Sequence, residues 1–104
     1  MKVICISTSS DSKQVLQNIS KLLIERKLSA CNKISKVQSQ YFWNEAYHST
    51  LEYKLDIKTI SQLESLVIDC INNNHNYKIY ELIKFKFEIL NPKYEEWFVN
   101  QLAK

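Results

Sequence analysis

Residues Leu28–Thr59, LSACNKISKVQSQYFWNEAYHSTLEYKLDIKT, read as two long strands joined by an aromatic tip. The first arm, Ala30 to Trp43, spans roughly 45 Å when extended at about 3.3 Å per residue. Strands in globular proteins usually run about five or six residues. A chain of 104 residues has no use for so long an arm within its own sheet. The surplus either stands in water or pairs with another molecule, and an exposed edge rich in Tyr, Phe and Trp invites aggregation unless it is covered. The hairpin therefore reads as an oligomerisation device. Tyr41, Phe42 and Trp43 are its expected interface anchors, because Trp and Tyr dominate such contacts; a stacking platform is the alternative use of the same rings.

Within the first arm Ile34 is even-numbered, while Val37, Tyr41 and Trp43 are odd. A period of two cannot place all four on one face, which predicts a bulge or kink near Ser35–Lys36. The second arm is regular, with Leu51, Tyr53, Leu55 and Ile57 on one face and Glu52, Lys54, Asp56 and Lys58 on the other. Before the hairpin, Lys2–Thr8 carries four consecutive apolar residues and reads as a buried strand. Asp11 with Gln14 resembles a capping box, after which Val15, Ile19, Leu22 and Leu23 recur at helical spacing through Lys27. After the hairpin, Ser61 and Glu64 form a second capping box, and Leu63, Leu66, Val67, Cys70 and Ile71 make a helical stripe. Ile79 to Leu90 alternates as a fourth strand whose Ile83, Phe85, Phe87 and Ile89 are expected in the core. Asn91-Pro92 opens a last helix. The order βαββαβ plus a terminal helix predicts an α+β, ferredoxin-like sandwich with helices on one sheet face. Residues 1–104 are expected to form one domain.

Composition closes several doors. The 45% hydrophobic fraction supports one core, and the net charge of +3, with both signs interspersed, points to neither nucleic acid nor membrane. There is no glycine, which excludes glycine-dependent phosphate cradles. Positive-φ turns must then fall to Asn or Asp, with Asn44, Asn73, Asn74 and Asn91 the candidates. The chain begins without a signal-like run and contains no stretch long enough to span a membrane, so a cytoplasmic location is expected. Cys5, Cys31 and Cys70 are an odd number of cysteines and are expected to be free thiols.

Several short motifs give the chain a family resemblance. Leu28-Ser29-Ala30-Cys31-Asn32 resembles the L-A-A-C-x-N element of the CutA divalent-cation tolerance family. Ser39-x-Tyr41-x-Trp43 resembles its S-x-Y-x-W, and Glu52 followed by Ile57-Lys58-Thr59 its E…(I/L)-K-T. His75-Asn76-Tyr77 stands where the family has H-P-Y, Glu81-Leu82 matches its E-(I/L), and Tyr94-x-x-Trp97 its Y-x-x-W. The ordered set, at family spacing, carries the resemblance; no single motif does. It implies a homotrimer that binds a divalent cation, copper foremost, in clefts between subunits.

His75 is the leading metal candidate, because imidazole suits copper and zinc. Its alternative is to cap the preceding helix by bonding a last carbonyl. Family members can carry a cysteine late in the first strand; Ser7 stands there, with Cys5 one same-face step earlier. Some carry a second histidine where Asn74 stands. A lone histidine holds copper poorly, so Cys5, Glu81 or a neighbouring subunit must supply further ligands, and binding should be weak. Lys58, Tyr77, Glu81, Glu52 and Cys31 match positions at the family's intersubunit cleft. They form either a small ligand pocket or an ordinary solvated sheet face. Cys31 and Cys70 also suit a buried core thiol. Asn76 and Tyr80 replace two family prolines, which predicts a more flexible loop, and Glu45 stands where the family has a hairpin glycine.

No nucleophile stands in a recognisable catalytic context, and a non-catalytic protein is expected. A trimeric sensor of a small anion, similar to the PII signalling family, is the alternative, with Lys58, Tyr77 and Glu81 holding the ligand. Lys84-Phe85-Lys86-Phe87 interleaves charge and aromatics as single-strand binders do, but no RNA-recognition signature accompanies it. Nucleic acid is therefore not an expected partner.

Overall fold

The computed structural model describes residues 2–103. Its elements are β1 (Val3–Ser10), α1 (Lys13–Glu25), β2 (Cys31–Trp43), β3 (Ala46–Ile60), α2 (Glu64–Asn74), β4 (Leu82–Lys86) and α3 (Pro92–Asn100). The four strands form one antiparallel sheet in the order β2-β3-β1-β4. This is the ferredoxin-like arrangement, lengthened to 47 Å by the β2–β3 hairpin. No helix among the described residues is long and apolar enough to cross a membrane.

The even residues of β1, Ile4 and Ile6, face the helices with Leu55 and Ile57 of β3. They meet Leu16, Ile19 and Leu23 of α1 and Val67, Cys70 and Ile71 of α2 in one buried cluster, which Phe98 and Leu102 complete from the C-terminal end. The opposite sheet face carries Cys5, Ser7, Lys58, Asp56, Ile83 and Phe85 and is bare of α1 and α2; only α3 reaches its margin, where Tyr94 lies beside Cys31.

Helix α1 starts one residue later than the expected capping box. Ser12, not Asp11, is the N-cap, its Oγ accepting from the Val15 N–H at 3.2 Å. The helix ends in a Schellman motif: the Leu28 N–H reaches the Leu23 carbonyl at 2.9 Å and the Lys27 N–H reaches Ile24 at 3.1 Å. Leu23 and Leu28 are both buried, the hydrophobic contact that accompanies this motif. Ser61–Leu63 form a 3-10 turn rather than a capping box, and α2 begins without a side-chain cap. Asn91 does cap α3, accepting from Lys93 and Tyr94.

Positive φ falls at Asn44 (50°), as expected, and at Glu45 (61°) and Lys27 (59°), but not at Asn73, Asn74 or Asn91. Asn44 and Glu45 are the two residues between Trp43 and Ala46, so the hairpin closes on a tight two-residue turn of the primed kind. Left-handed backbone costs a residue with a Cβ about 1–2 kcal/mol, and glycine recovers most of that less its own chain entropy. Glu45→Gly and Lys27→Gly are each expected to add about 0.5–1 kcal/mol, read as an upward shift in the thermal midpoint. An unchanged or lowered midpoint in both would contradict the strain argument.

Two expectations fail in the sheet. The β2–β3 register runs without a skip from Cys31–Lys58 to Trp43–Ala46, so there is no bulge at Ser35–Lys36. Asn32 and Ile34 face the helices; Val37, Tyr41 and Trp43 face the other way. The strand keeps its phase, and what changes is that the arm outruns the helix layer. Strand β4 is also shorter than Ile79–Leu90, and Ile83 and Phe85 are 41% and 51% exposed instead of buried. Pairing with β1 sets the parity, since Ile6 opposes Lys84 and Ile4 opposes Lys86, which sends both lysines to the helix side. Lys84 meets Glu64 of α2 there at 2.9 Å. Lysine and phenylalanine thus point to opposite faces and form no joint stacking surface. Beyond the strand, Phe87 and Ile89 do pack against the core.

Candidate functional site

The segment from His75 to Glu81 leaves the end of α2 and folds against the end of β1. The His75 ring nitrogens are both engaged. Nδ1 accepts the Tyr77 N–H at 3.0 Å, which leaves Nε2 as the donor to the Ser9 carbonyl at 2.9 Å. Ser9 lies one residue past Thr8–Leu82, the last β1–β4 pair. His75 therefore bonds the first β1 carbonyl that β4 no longer reaches. The ring of Tyr80 stacks on it, centroids 4.1 Å apart and planes within 8°. Burial pushes the imidazole pKa down, opposed by the Ser9 bond and by Asp11 and Glu52. A neutral imidazole is what the Tyr77 N–H requires, since only an unprotonated Nδ1 can accept.

Tyr77 is the centre of the site. Its hydroxyl donates to Glu52 Oε2 at 2.7 Å and accepts the Asp11 N–H at 2.8 Å. Burial and the Glu52 carboxylate beside it hold the phenol pKa well above the ordinary tyrosine value. Asn76 ties the loop again, accepting from Ser10 Oγ at 2.6 Å and donating to Asp11 Oδ1 at 2.9 Å. Tyr80 bonds Asn72 at the end of α2. The two residues that replace the family prolines thus supply side-chain ties that proline lacks, and the loop carries its restraint in hydrogen bonds and stacking rather than in fixed φ angles.

Loop and hairpin enclose an open cleft of about 1100 Å³. Ser39, Tyr41 and Trp43 of β2, Glu52 of β3, and the stretch from Asn76 to Glu81 line it. Glu52 is only 8% exposed. Tyr41 stacks against His48 across the hairpin at 5.3 Å, and His48 also bonds the Trp43 carbonyl at 3.2 Å. The cleft is aromatic, holds two carboxylates, and has Lys78 as its one basic side chain among the described residues.

The residues expected at the site separate into two groups. Glu52, Tyr77 and Glu81 line the cleft together, and His75 braces it from behind. Lys58 and Cys31 do not reach it: Lys58 lies six residues, roughly 20 Å, along β3 from Glu52. It forms a cross-strand row with Cys5 and Cys31 on the sheet face away from α1 and α2, where Tyr94 of α3 lies beside Cys31. Cys5 stands four residues, roughly 13 Å, from the Ser9 carbonyl that holds His75. Burial pushes the Cys5 thiol pKa up, against a weak 4.0 Å contact with Ser7, so the thiolate that metals bind is disfavoured. All three cysteines are free, and Cys70 is buried in the core. Cys5 and Cys31 flank β3 and are therefore roughly 10 Å apart, beyond disulfide reach.

The donor set of one chain does not fit a complete metal site. Among the described residues no group of three or more His, Cys, Asp or Glu side chains is placed to hold an ion, and His75 would have to give up a backbone bond to contribute. The sequence also concealed Asn76, Asp11, Ser10 and Tyr80. Their common signal is polarity crowded around a strand end and a helix end, which is visible only once β1 and the loop are brought together.

The family model described as CutA1 divalent ion tolerance protein matches residues 4–101. A probable divalent-cation tolerance protein cutA homolog from Encephalitozoon cuniculi is 32% identical over 88% of this chain and 81% of its own length. A Protein CutA homolog from Xenopus laevis is 36% identical over 80% of this chain but only 56% of itself. Among solved structures, CutA1 from Oryza sativa aligns with a TM-score of 0.92 at 27% identity, covering 100% of this chain and 96% of that one. CutA1 from Ehrlichia chaffeensis aligns at 0.90 and 27%, covering 100% and 99%. With the family model matching nearly the whole length and the fold in agreement, the chain belongs to the CutA1 divalent ion tolerance family.

Proposed function

We propose that this chain is a non-catalytic, cytoplasmic protein of metal tolerance, one domain over residues 1–104, which assembles as a homotrimer and binds a divalent cation, copper above others, weakly in its cleft. The observation that carries the reading is the pair of carboxylates, Glu52 and Glu81, facing a cleft with one lysine. Oxygen donors from two carboxylates attract a divalent ion but do not enclose it, so remaining positions fall to water, to His75 at the cost of its Tyr77 bond, or to a second copy of the chain. Cys5 contributes only if the assembly brings the Cys5-bearing sheet face of one copy to the cleft of another. The hairpin supports assembly: β2 is an edge strand of 13 residues, and Phe42 at its tip is 71% exposed. A small anion, the alternative ligand, is disfavoured because Lys58 lies away from a cleft whose net charge is negative.

Calorimetric titration with Zn2+ under reducing conditions, and with Cu2+ without reductant, tests the metal. Saturable binding with Kd above about 1 µM is expected, a binding free energy weaker than about −8 kcal/mol. Glu81→Gln should weaken it about tenfold, and His75→Ala less than that. No saturable heat for either ion would overturn the reading.

A further inference from the structure

The cleft holds one group that the proposed metal reading uses only in part. Glu52 sits at the cleft wall and is more than nine-tenths buried. One of its oxygens, Oε2, takes the Tyr77 hydroxyl proton. The other, Oε1, has no hydrogen-bond partner among the described residues, and no basic side chain among them forms an ion pair with it. Most of the side chain is withdrawn from water, and Oε1 is the carboxylate oxygen left open to solvent at the cleft, free to accept from a bound donor. Around it stand Tyr41, Trp43 and Tyr77, whose π faces attract cations, and Ile79, which offers apolar surface. Glu81 supplies a second negative charge in the same space.

This set suits an organic cation better than a bare ion. A metal wants three or more fixed donors, whereas an ammonium wants one or two acceptors for its N–H groups, an aromatic wall and a place for its methylenes. We infer that the cleft binds an aliphatic di- or polyammonium ligand, with one ammonium on Glu52 Oε1, the second toward Glu81, and the methylene chain along the tyrosine and tryptophan rings. The inference rests on the cleft being the binding site, as the metal reading does, but needs no metal. The hydrogen bond from Tyr77 fixes the Glu52 carboxylate before the ligand arrives, so little side-chain entropy is lost on binding.

The experiment titrates putrescine, spermidine and, as a single-charge control, butylamine into the intact protein in excess EDTA, read by calorimetry and by tryptophan fluorescence. Saturable binding is expected for the two polyamines, at least tenfold weaker for butylamine, and weakened by added salt. Glu52→Gln keeps an acceptor for Tyr77 and should reduce spermidine affinity at least tenfold. Should that variant fail to fold, Glu81→Gln, at an exposed position, carries the test and should bring spermidine close to butylamine. Absence of saturation at millimolar polyamine, or affinity indifferent to both substitutions, overturns the inference; the latter would mark nonspecific charge attraction. The Zn2+ titration on the same preparation separates the two readings. Metal binding without polyamine binding removes this one alone, and polyamine binding without metal removes the metal reading alone.

Discussion

Tyr77→Phe is expected to lower the unfolding free energy by about 2–3 kcal/mol, although it deletes a single oxygen. The phenol proton is the one hydrogen-bond donor to Glu52 among the described residues, at 2.7 Å, and Glu52 is buried. A hydrogen bond to a charged group is worth about 1.5–3 kcal/mol net, and removing the donor while leaving the buried carboxylate adds its desolvation. The Asp11 N–H that bonds the same oxygen is exposed and finds water instead. Urea unfolding at fixed protein concentration measures the loss, with Tyr47→Phe as the reference, because Tyr47 is an exposed tyrosine of the hairpin tip. Tyr47→Phe should change stability by less than about 0.5 kcal/mol. In a Glu52→Gln background the cost of Tyr77→Phe should fall below about 1 kcal/mol, because a neutral amide suffers less from the missing donor. Equal effects for Tyr77→Phe in the two backgrounds would show that the loss comes from loop packing and not from the carboxylate.

The fold was open to reading because its determinants are local and periodic. Leu55 and Ile57 alternate with Asp56 and Lys58, and Val67, Cys70 and Ile71 recur at helical spacing, so strand and helix could be told apart without any tertiary knowledge. Strand β4 misled because Ile83 and Phe85 alternate just as cleanly as a core strand does. Which of two alternating sets turns inward depends on the partner strand, and the pairing of Ile6 with Lys84 is not written in β4 itself. The switch of apolar residues from even to odd positions along β2, which is no break in its register, misled for a related reason. A residue can be half-buried on either face, and the pattern does not say where the covering helices stop.

The site was legible by residue type and not by connection. Glu52, Tyr77 and Glu81 line one cleft of the single chain, whereas Lys58 and Cys31, which share motifs with them, stand farther along the sheet. Proximity along β3 does not translate into a shared site when each residue advances the strand by about 3.3 Å. His75 reads on its own as a metal ligand. Only the juxtaposition of Ser9 and Tyr77, at sequence separations of 66 and 2, commits both its ring nitrogens to the backbone.

Replacing Phe42, Trp43 and Tyr47 together by serine should convert the assembly to a 12.3 kDa monomer in light scattering, from the threefold mass that the trimer reading requires. The three side chains sit beside a turn closed by Asn44 and Glu45, at the far end of the hairpin from the core cluster. All three are largely exposed in the single chain. Aromatic residues bury about 150–250 Å² each when an interface covers them, about 4–6 kcal/mol apiece at the usual rate, and anchor residues of this type commonly cost about 2 kcal/mol or more on truncation. Three lost anchors remove about 6 kcal/mol or more of association energy per contact, over four orders of magnitude in affinity. Folding of the chain itself should survive, because none of the three belongs to the buried cluster; circular dichroism of the variant should match that of the parent. The same substitution distinguishes two places for the interface. If the mass is unchanged, the contacts lie on the sheet face away from α1 and α2, and Ile83→Ser with Phe85→Ser should then dissociate the assembly instead. A parent protein that is already monomeric at micromolar concentration would remove the trimer altogether. The exposed rings and the unpaired edge of β2 would then need a different partner.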